Sequence, residues 1–148
     1  MKLFLSVGLL VIASLLSLSI YAAPQSNSIT RHALTVAGAN DEWTTTTLKV
    51  VPGDILLIKA SGEVSVGSYL GNSTPDGIQN GIGQLQLKIG ASSVQRAGSM
   101  SYIIVKETGV VKLRVNDTKY SDNSGEYAVE VIHIPALLIP EAQPVITE

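Results

Sequence analysis

VKLRVNDTKYSDNSGEYAVEV, residues 111 to 131, contains the pattern on which the fold turns. Val111, Leu113 and Val115 alternate with Lys112 and Arg114. Further on, Tyr127, Val129 and Val131 alternate with Ala128 and Glu130. A period of two, apolar on one side and polar on the other, is the signature of half-buried antiparallel strands. Between the two runs, Asn116, Asp117, Asp122 and Asn123 crowd together with the hydroxyls of Thr118, Tyr120 and Ser121.

The same alternation recurs outward from this stretch. Leu56, Ile58 and Ala60 form one inward row, and Leu85, Leu87 and Ile89 another. Val51-Pro52-Gly53-Asp54 punctuates two apolar runs as a turn. Gly62 to Gly83 is rich in Gly, Asn, Ser and Asp and reads as a long loop broken by one short strand. No window carries a helical period. Evenly spaced short strands with Gly-rich turns predict an all-β fold, an antiparallel β-sandwich, with a closed barrel as the other way of burying the same rows. Trp43, at a strand start in a Leu/Val-rich pattern, is expected to pack in the core.

The chain ends bound the domain. Met1-Lys2, an uncharged apolar run from Leu3 to Ile20, and the small exit Ala22-Ala23 before Pro24 have the layout of a secretory signal peptide, residues 1–22. The run is also just long enough to span a bilayer, but the small-residue exit and the lack of a basic flank after it favour cleavage. The expected product is secreted or periplasmic, with a domain over 23–134 and a tail over 135–148 that Pro135, Pro140 and Pro144 keep from continuing as a central strand. Loss of Lys2 leaves nine basic residues against 12 acidic ones, moving the formal charge from −2 to −3. A mildly acidic chain with no basic run argues against nucleic acid and, after signal cleavage, against membrane partners. The absence of cysteine excludes disulfides, thiolate metal sites and cysteine nucleophiles.

Asp117, Asp122 and Asn123 are oxygen donors of the kind calcium takes, together with backbone carbonyls and water. The same residue types also build hairpin loops by bonding to nearby backbone, and composition alone leaves both readings open. The spacing does not match an EF-hand, because Lys119 and Asp122 stand where that loop needs an oxygen ligand and a glycine. His32 and His133 lie near opposite ends of the mature chain, and no nucleophile-elbow motif is present, so no enzyme activity is expected.

Taken in order, Trp43-Thr44, Val51-Pro52-Gly53-Asp54, Lys59-Ala60-Ser61-Gly62, Leu87-Lys88-Ile89-Gly90, Arg114-Val115-Asn116-Asp117 and Asp122-Asn123-Ser124-Gly125-Glu126-Tyr127 resemble the calcium-dependent, galactose-binding bacterial lectins of the PA-I type. The resemblance spans about Leu34 to Val131. It implies a jelly-roll sandwich of galactose-binding-domain type, with one calcium shared between protein and sugar hydroxyls. Carried over residue by residue, it makes Asp117, Asp122 and Asn123 side-chain ligands of calcium, with carbonyls from Tyr120 or Lys119 and from near Val66. Asp117 and Asp122 would also accept hydrogen bonds from the sugar, with Thr74 and Asp76 around it. Independently of the resemblance, Tyr69 lies in a loop from which its ring can lean on a ligand.

Three departures stand out. The loop from Asp117 to Asp122 is shorter than the family's, Asp122 stands where the family has Asn, and Thr74 stands where a sugar-contacting His is expected, with no Gln aligning nearby. The function implied is a secreted, calcium-dependent carbohydrate-binding domain, its avidity supplied by a homo-oligomer. A non-catalytic periplasmic adaptor on the same fold, binding a protein or cell-wall component, is the alternative.

Overall fold

The computed structural model describes residues 28–138. The expected signal peptide and the tail beyond residue 138 lie outside the described residues. Nine strands form two antiparallel sheets. They are β1 (Thr30–Ala37), β2 (Thr44–Val50), β3 (Ile55–Val66), β4 (Asn72–Ser73), β5 (Leu85–Ile89), β6 (Gln95–Arg96), β7 (Met100–Ile104), β8 (Gly109–Val115) and β9 (Asn123–Ile134). The first sheet runs β1-β9-β3, and β7 and β4 share the far edge of β3. The second runs β2-β8-β5-β6. The expected β-sandwich is what forms, and no α-helix occurs among the described residues.

The inward rows read from the sequence close on each other as the core. Leu56, Ile58 and Val64 of β3 and Tyr127 and Val131 of β9 are fully buried, as are Leu85, Leu87, Val111, Leu113 and Val115 across the second sheet. Each such aliphatic side chain contributes about 1.5–3 kcal/mol by leaving water. The long strands β3 and β9 pair without a break from Ile55↔Ile134 to Val66↔Asn123. Within that ladder Gly62 (φ +104°) and Gly125 (φ +80°) take positive φ. A Cβ at Gly62 would lie 2.7 Å from the Glu126 carbonyl, and one at Gly125 2.5 Å from that of Glu63, so both sites need glycine.

Three expectations need correction. The polar segment expected to be loop from Gly62 begins at Gly67, because Gly62–Val66 continues β3 by pairing with β9. Trp43 is not in the core. It sits half-buried on the outer face of the second sheet, with Lys88 Nζ 4.4 Å and Arg114 Cζ 4.6 Å from its ring centre. Its position places it in phase with Thr45, which pairs with the outward Lys112. His32 and His133 are brought onto neighbouring strands by the β1–β9 pairing, where Thr30 stands opposite His133 and bonds His32 at 3.0 Å.

At the end of the sandwich opposite the 116–123 loop, Asp54 is wholly buried. His133 Nε2 donates to its Oδ2 at 2.8 Å, and the Val51 and Ala136 amides donate at 3.0 and 2.9 Å. The Pro-Gly turn, the end of β9 and the start of the 136–138 turn are thereby tied to one carboxylate. Burial by itself raises the Asp54 pKa, but those bonds together outweigh it and hold the carboxyl below the ordinary value of 3.8. Its contribution to stability is therefore complete above that value and lost as the pH falls through the lower folded one. Asp54→Ala, which strands His133 and two amides, should cost about 3–5 kcal/mol in urea melts at neutral pH. The variant's loss of stability between about pH 5 and 2 should be shallower than the wild type's.

Candidate functional site

The polar loop of 116–123 lies at the end of the sandwich where β3 and β9 finish together. Asn116 fixes its start: its side-chain amide donates to the Gly81 carbonyl at 2.8 Å and its own carbonyl accepts from Gly83 at 2.7 Å. Asp117 Oδ1 accepts the amides of Thr118 and Lys119 at 2.6 and 3.2 Å, closing a local turn. Its Oδ2 makes no bond to protein among the described residues. Tyr120 folds back, its hydroxyl accepting from the Asp117 amide and donating to the Val115 carbonyl. The tight turn Tyr120–Asp122 then leads into β9.

Strand register brings the remaining pieces together. Val66 stands directly opposite Asn123, and the Asp122 carboxylate lies against Gly67, with Oδ2 3.1 Å from where a Cβ would be. Asn123 is buried. Its Nδ2 donates to the Gly38 carbonyl at 3.1 Å, and its Oδ1 has no partner among the described residues. A buried amide oxygen without a donor costs free energy unless something electropositive meets it. Asp122 and Asn123 thus stand beside the Val66–Gly67 end of β3, and the loop carrying Asp117 and Tyr120 leads into them.

The donor set suits a hard cation of calcium's kind. Among the described residues no three His, Cys, Asp or Glu side chains converge, so an ion here would rest on two carboxylates, an amide oxygen and carbonyls. Lys119, considered from sequence only for its carbonyl, places Nζ 2.9 Å from Asp122 Oδ2. Its i,i+3 spacing on the short turn was the available signal.

The other sequence candidates surround this spot unevenly. Tyr69 is 97% exposed at the tip of the 67–71 loop, which Gly71 closes by bonding back to Gly67. Thr74 is exposed, and its carbonyl accepts from the Tyr127 hydroxyl at 2.8 Å. Asp76 is engaged elsewhere: Ser99 Oγ and amide donate to it at 2.6 and 3.1 Å, and Arg96 reaches it at 3.4 Å. The Ser99 hydroxyl first, then the Ser99 amide and Arg96, hold its carboxyl below the ordinary range. Asp76 pins its loop to the β6–β7 corner.

No protein-family model matches the chain, and no curated protein matches it. Among solved structures, it is similar to the EclA N-terminal domain, a PllA-like lectin, at 27% identity and a TM-score of 0.61. That match covers 68% of this chain and 94% of the other. The chain is lectin-like in both sequence and architecture. A structure from Bacillus endospore appendages, described as a novel family of disulfide-linked pili, matches at 13% identity over 77% of this chain and 96% of the other. Its TM-score of 0.30 is too low for a shared architecture.

Beneath the site, the fully buried Tyr127 directs its hydroxyl at the carbonyls of Ser73, Thr74 and Gly83, at 3.2, 2.8 and 2.7 Å. Burial pushes its phenol above the ordinary value of 10.0. Its share of stability is complete below that value and lost as the pH rises through the higher folded one. Tyr127→Phe should cost about 1–3 kcal/mol in urea melts. It should also blunt the wild type's loss of stability above pH 10.0.

Proposed function

We propose that this chain is an exported, non-catalytic carbohydrate-binding domain of lectin type whose sugar site is built on a calcium ion. The observation that carries the reading is the buried Asn123 Oδ1, without a hydrogen-bond partner among the described residues, on the residue that follows Asp122 and pairs with Val66. The lectin-like EclA neighbour supports the carbohydrate class. Asp117, Asp122 and Asn123 would hold the ion through side chains, and Tyr120 and Val66 through carbonyls. The ion would supply open coordination places for two adjacent hydroxyls of a galactose-like sugar, while Asp117 and Asp122 would accept hydrogen bonds from those hydroxyls. Tyr69, wholly exposed at the rim, offers a face to the sugar's C–H surface, and Thr74 offers a hydroxyl. Asp76, held by Ser99 and Arg96, sets the position of the Thr74 loop.

One observation favours the adaptor reading. Met100, Tyr102 and Ile104 stand exposed along β7, beside Ile55 and Leu57 of β3, as an apolar strip suited to a protein partner. Glycan profiling in calcium and again in chelator separates the two: a lectin gives hits that vanish with chelation, and an adaptor gives none.

A thermal melt is the direct test of the ion. With about 10 mM calcium and a dissociation constant of roughly 0.1–1 mM, linkage yields about 1.4–2.7 kcal/mol of stabilisation. In a domain of this size the midpoint should rise by about 4–15 °C. Coincident curves in calcium and chelator would overturn the ion site. Lys119→Met removes a competing cation from Asp122. Because the pair is exposed, the gain is modest, and calcium titrations should tighten by about two- to fivefold.

A further inference from the structure

The outer face of the second sheet has a charge character that the chain's overall balance hides. β2, β5, β6 and β8 contain no Asp or Glu. They carry Lys49, Lys88, Arg96, Lys112 and Arg114, in a protein whose formal net charge is −2. Val111, Leu113, Leu85 and Leu87 point into the core, so the intervening Lys112, Arg114 and Lys88 point out. Lys88 and Lys112 are cross-strand partners in register. Like charges held directly opposite each other destabilise a sheet, and among the described residues no carboxylate stands between these two. Arg96 reaches Asp76 at the sheet's edge. Lys49, Lys88, Lys112 and Arg114 have no carboxylate partner among the described residues. Asp41 and Glu42 are exposed in the approach to Trp43 and pair with none of them. Asp117, past the end of β8, is turned to its own loop amides.

Trp43 organises two of these cations. Lys88 Nζ and Arg114 Cζ lie over its ring, and Arg114 also lies 5.9 Å from the ring centre of Tyr120. The Arg114 Nε is buried without a hydrogen-bond acceptor. Thr45, Thr47 and Gln86 complete the face with hydroxyl and amide groups. The result is a flat cationic grid. Strand geometry spaces its charges by about 4.7–4.9 Å across strands and about 6.6–6.8 Å along β8.

We propose that this face binds the carboxylates of an acidic, uronate-bearing polysaccharide. Charge complementarity requires a polyanion, and the choice of polysaccharide rests on the carbohydrate-binding reading above. A bilayer surface is disfavoured because the apolar side chains on the face, Trp43 and Val110, are half-buried, and the Trp43 ring is covered by Lys88 and Arg114. Stacked nucleic-acid bases are disfavoured because the Trp43 ring is covered by cations.

The test is affinity electrophoresis of the mature chain through gels containing polygalacturonate or its methyl ester, in chelator so that calcium takes no part. The acid should retard the wild type and the neutral ester should not, with retardation lost at about 0.5 M NaCl. K88Q/K112Q should weaken retardation at least about tenfold. It should melt at or above the wild-type temperature, since it relieves the opposed lysines. Thr47→Glu, which adds an acid at an exposed position of the same face, should weaken retardation as well. Asp122→Ala should leave retardation unchanged while abolishing neutral-sugar binding, so either reading can fail without the other. No wild-type retardation, equal retardation by the methyl ester, or unaltered retardation of both face variants would overturn the proposal. So would tighter binding to phosphatidylglycerol vesicles or duplex DNA than to polygalacturonate.

Discussion

The unbroken pairing of β3 with β9 is the constraint from which the rest follows. Both strands are twelve residues long and stay in register from one end of the sandwich to the other. Because the side-chain period is two, that register decides which residues face inward and which meet at each end. At one end it sets Leu56 opposite His133, beside the buried Asp54. At the other it sets Val66 opposite Asn123, where the candidate ligands gather. A slip of one residue would turn Tyr127 and the aliphatic row outward and take Asn123 away from Val66. Site and core are therefore specified by the same ladder.

The two ends handle buried polarity in opposite ways. Asp54 is saturated: both carboxylate oxygens accept hydrogen bonds, and the group joins the 51–54 turn to the 133–136 stretch, about eighty residues away. That is the condition under which a buried charge is tolerated in a domain without disulfides. Asn123 is left half-satisfied, its amide nitrogen bonded and its oxygen bare. Tyr127 stands between, fixing the carbonyls of the Ser73–Thr74 and Gly83 segments that flank the open end. One end thus closes its buried polar group with hydrogen bonds, and the other leaves a buried amide oxygen without a donor among the described residues.

The two outer faces differ as sharply. The first sheet carries Arg31 paired with Glu130, together with Glu63, Glu126 and the apolar strip of β7. The second carries only cations among its charged strand residues. This partition does not depend on net charge. It follows from which strands are neighbours, and neighbouring strands here come from distant stretches of chain: β2 lies beside β8, and β1 beside β9.

Much of the fold was legible because alternation is a local signal. Leu56–Ile58–Ala60, Leu85–Leu87–Ile89 and Val111–Leu113–Val115 announce their own inward faces, and Asp117, Asp122 and Asn123 are adjacent enough to be seen as a cluster without coordinates. Asp76 was less legible, because its partners Ser99 and Arg96 lie across a sheet corner. The extent of β3 was obscured by Gly62, a residue type that usually signals a turn but here takes a positive φ within paired strands, close to the Glu126 carbonyl. Trp43 stands at a strand start in a Leu/Val-rich pattern that suggests the core, yet phase with Thr45 and the pull of Lys88 and Arg114 put it outside. By itself the sequence determined the strands, the inward rows and the candidate oxygen donors, all of which depend on residues near in chain. Only the tertiary structure decided that Val66 meets Asn123, that His133 meets Asp54, and that scattered lysines and an arginine form one cationic face. Those outcomes depend on which strands pair and in what register, and that is set by closure of the whole core, not by any local stretch.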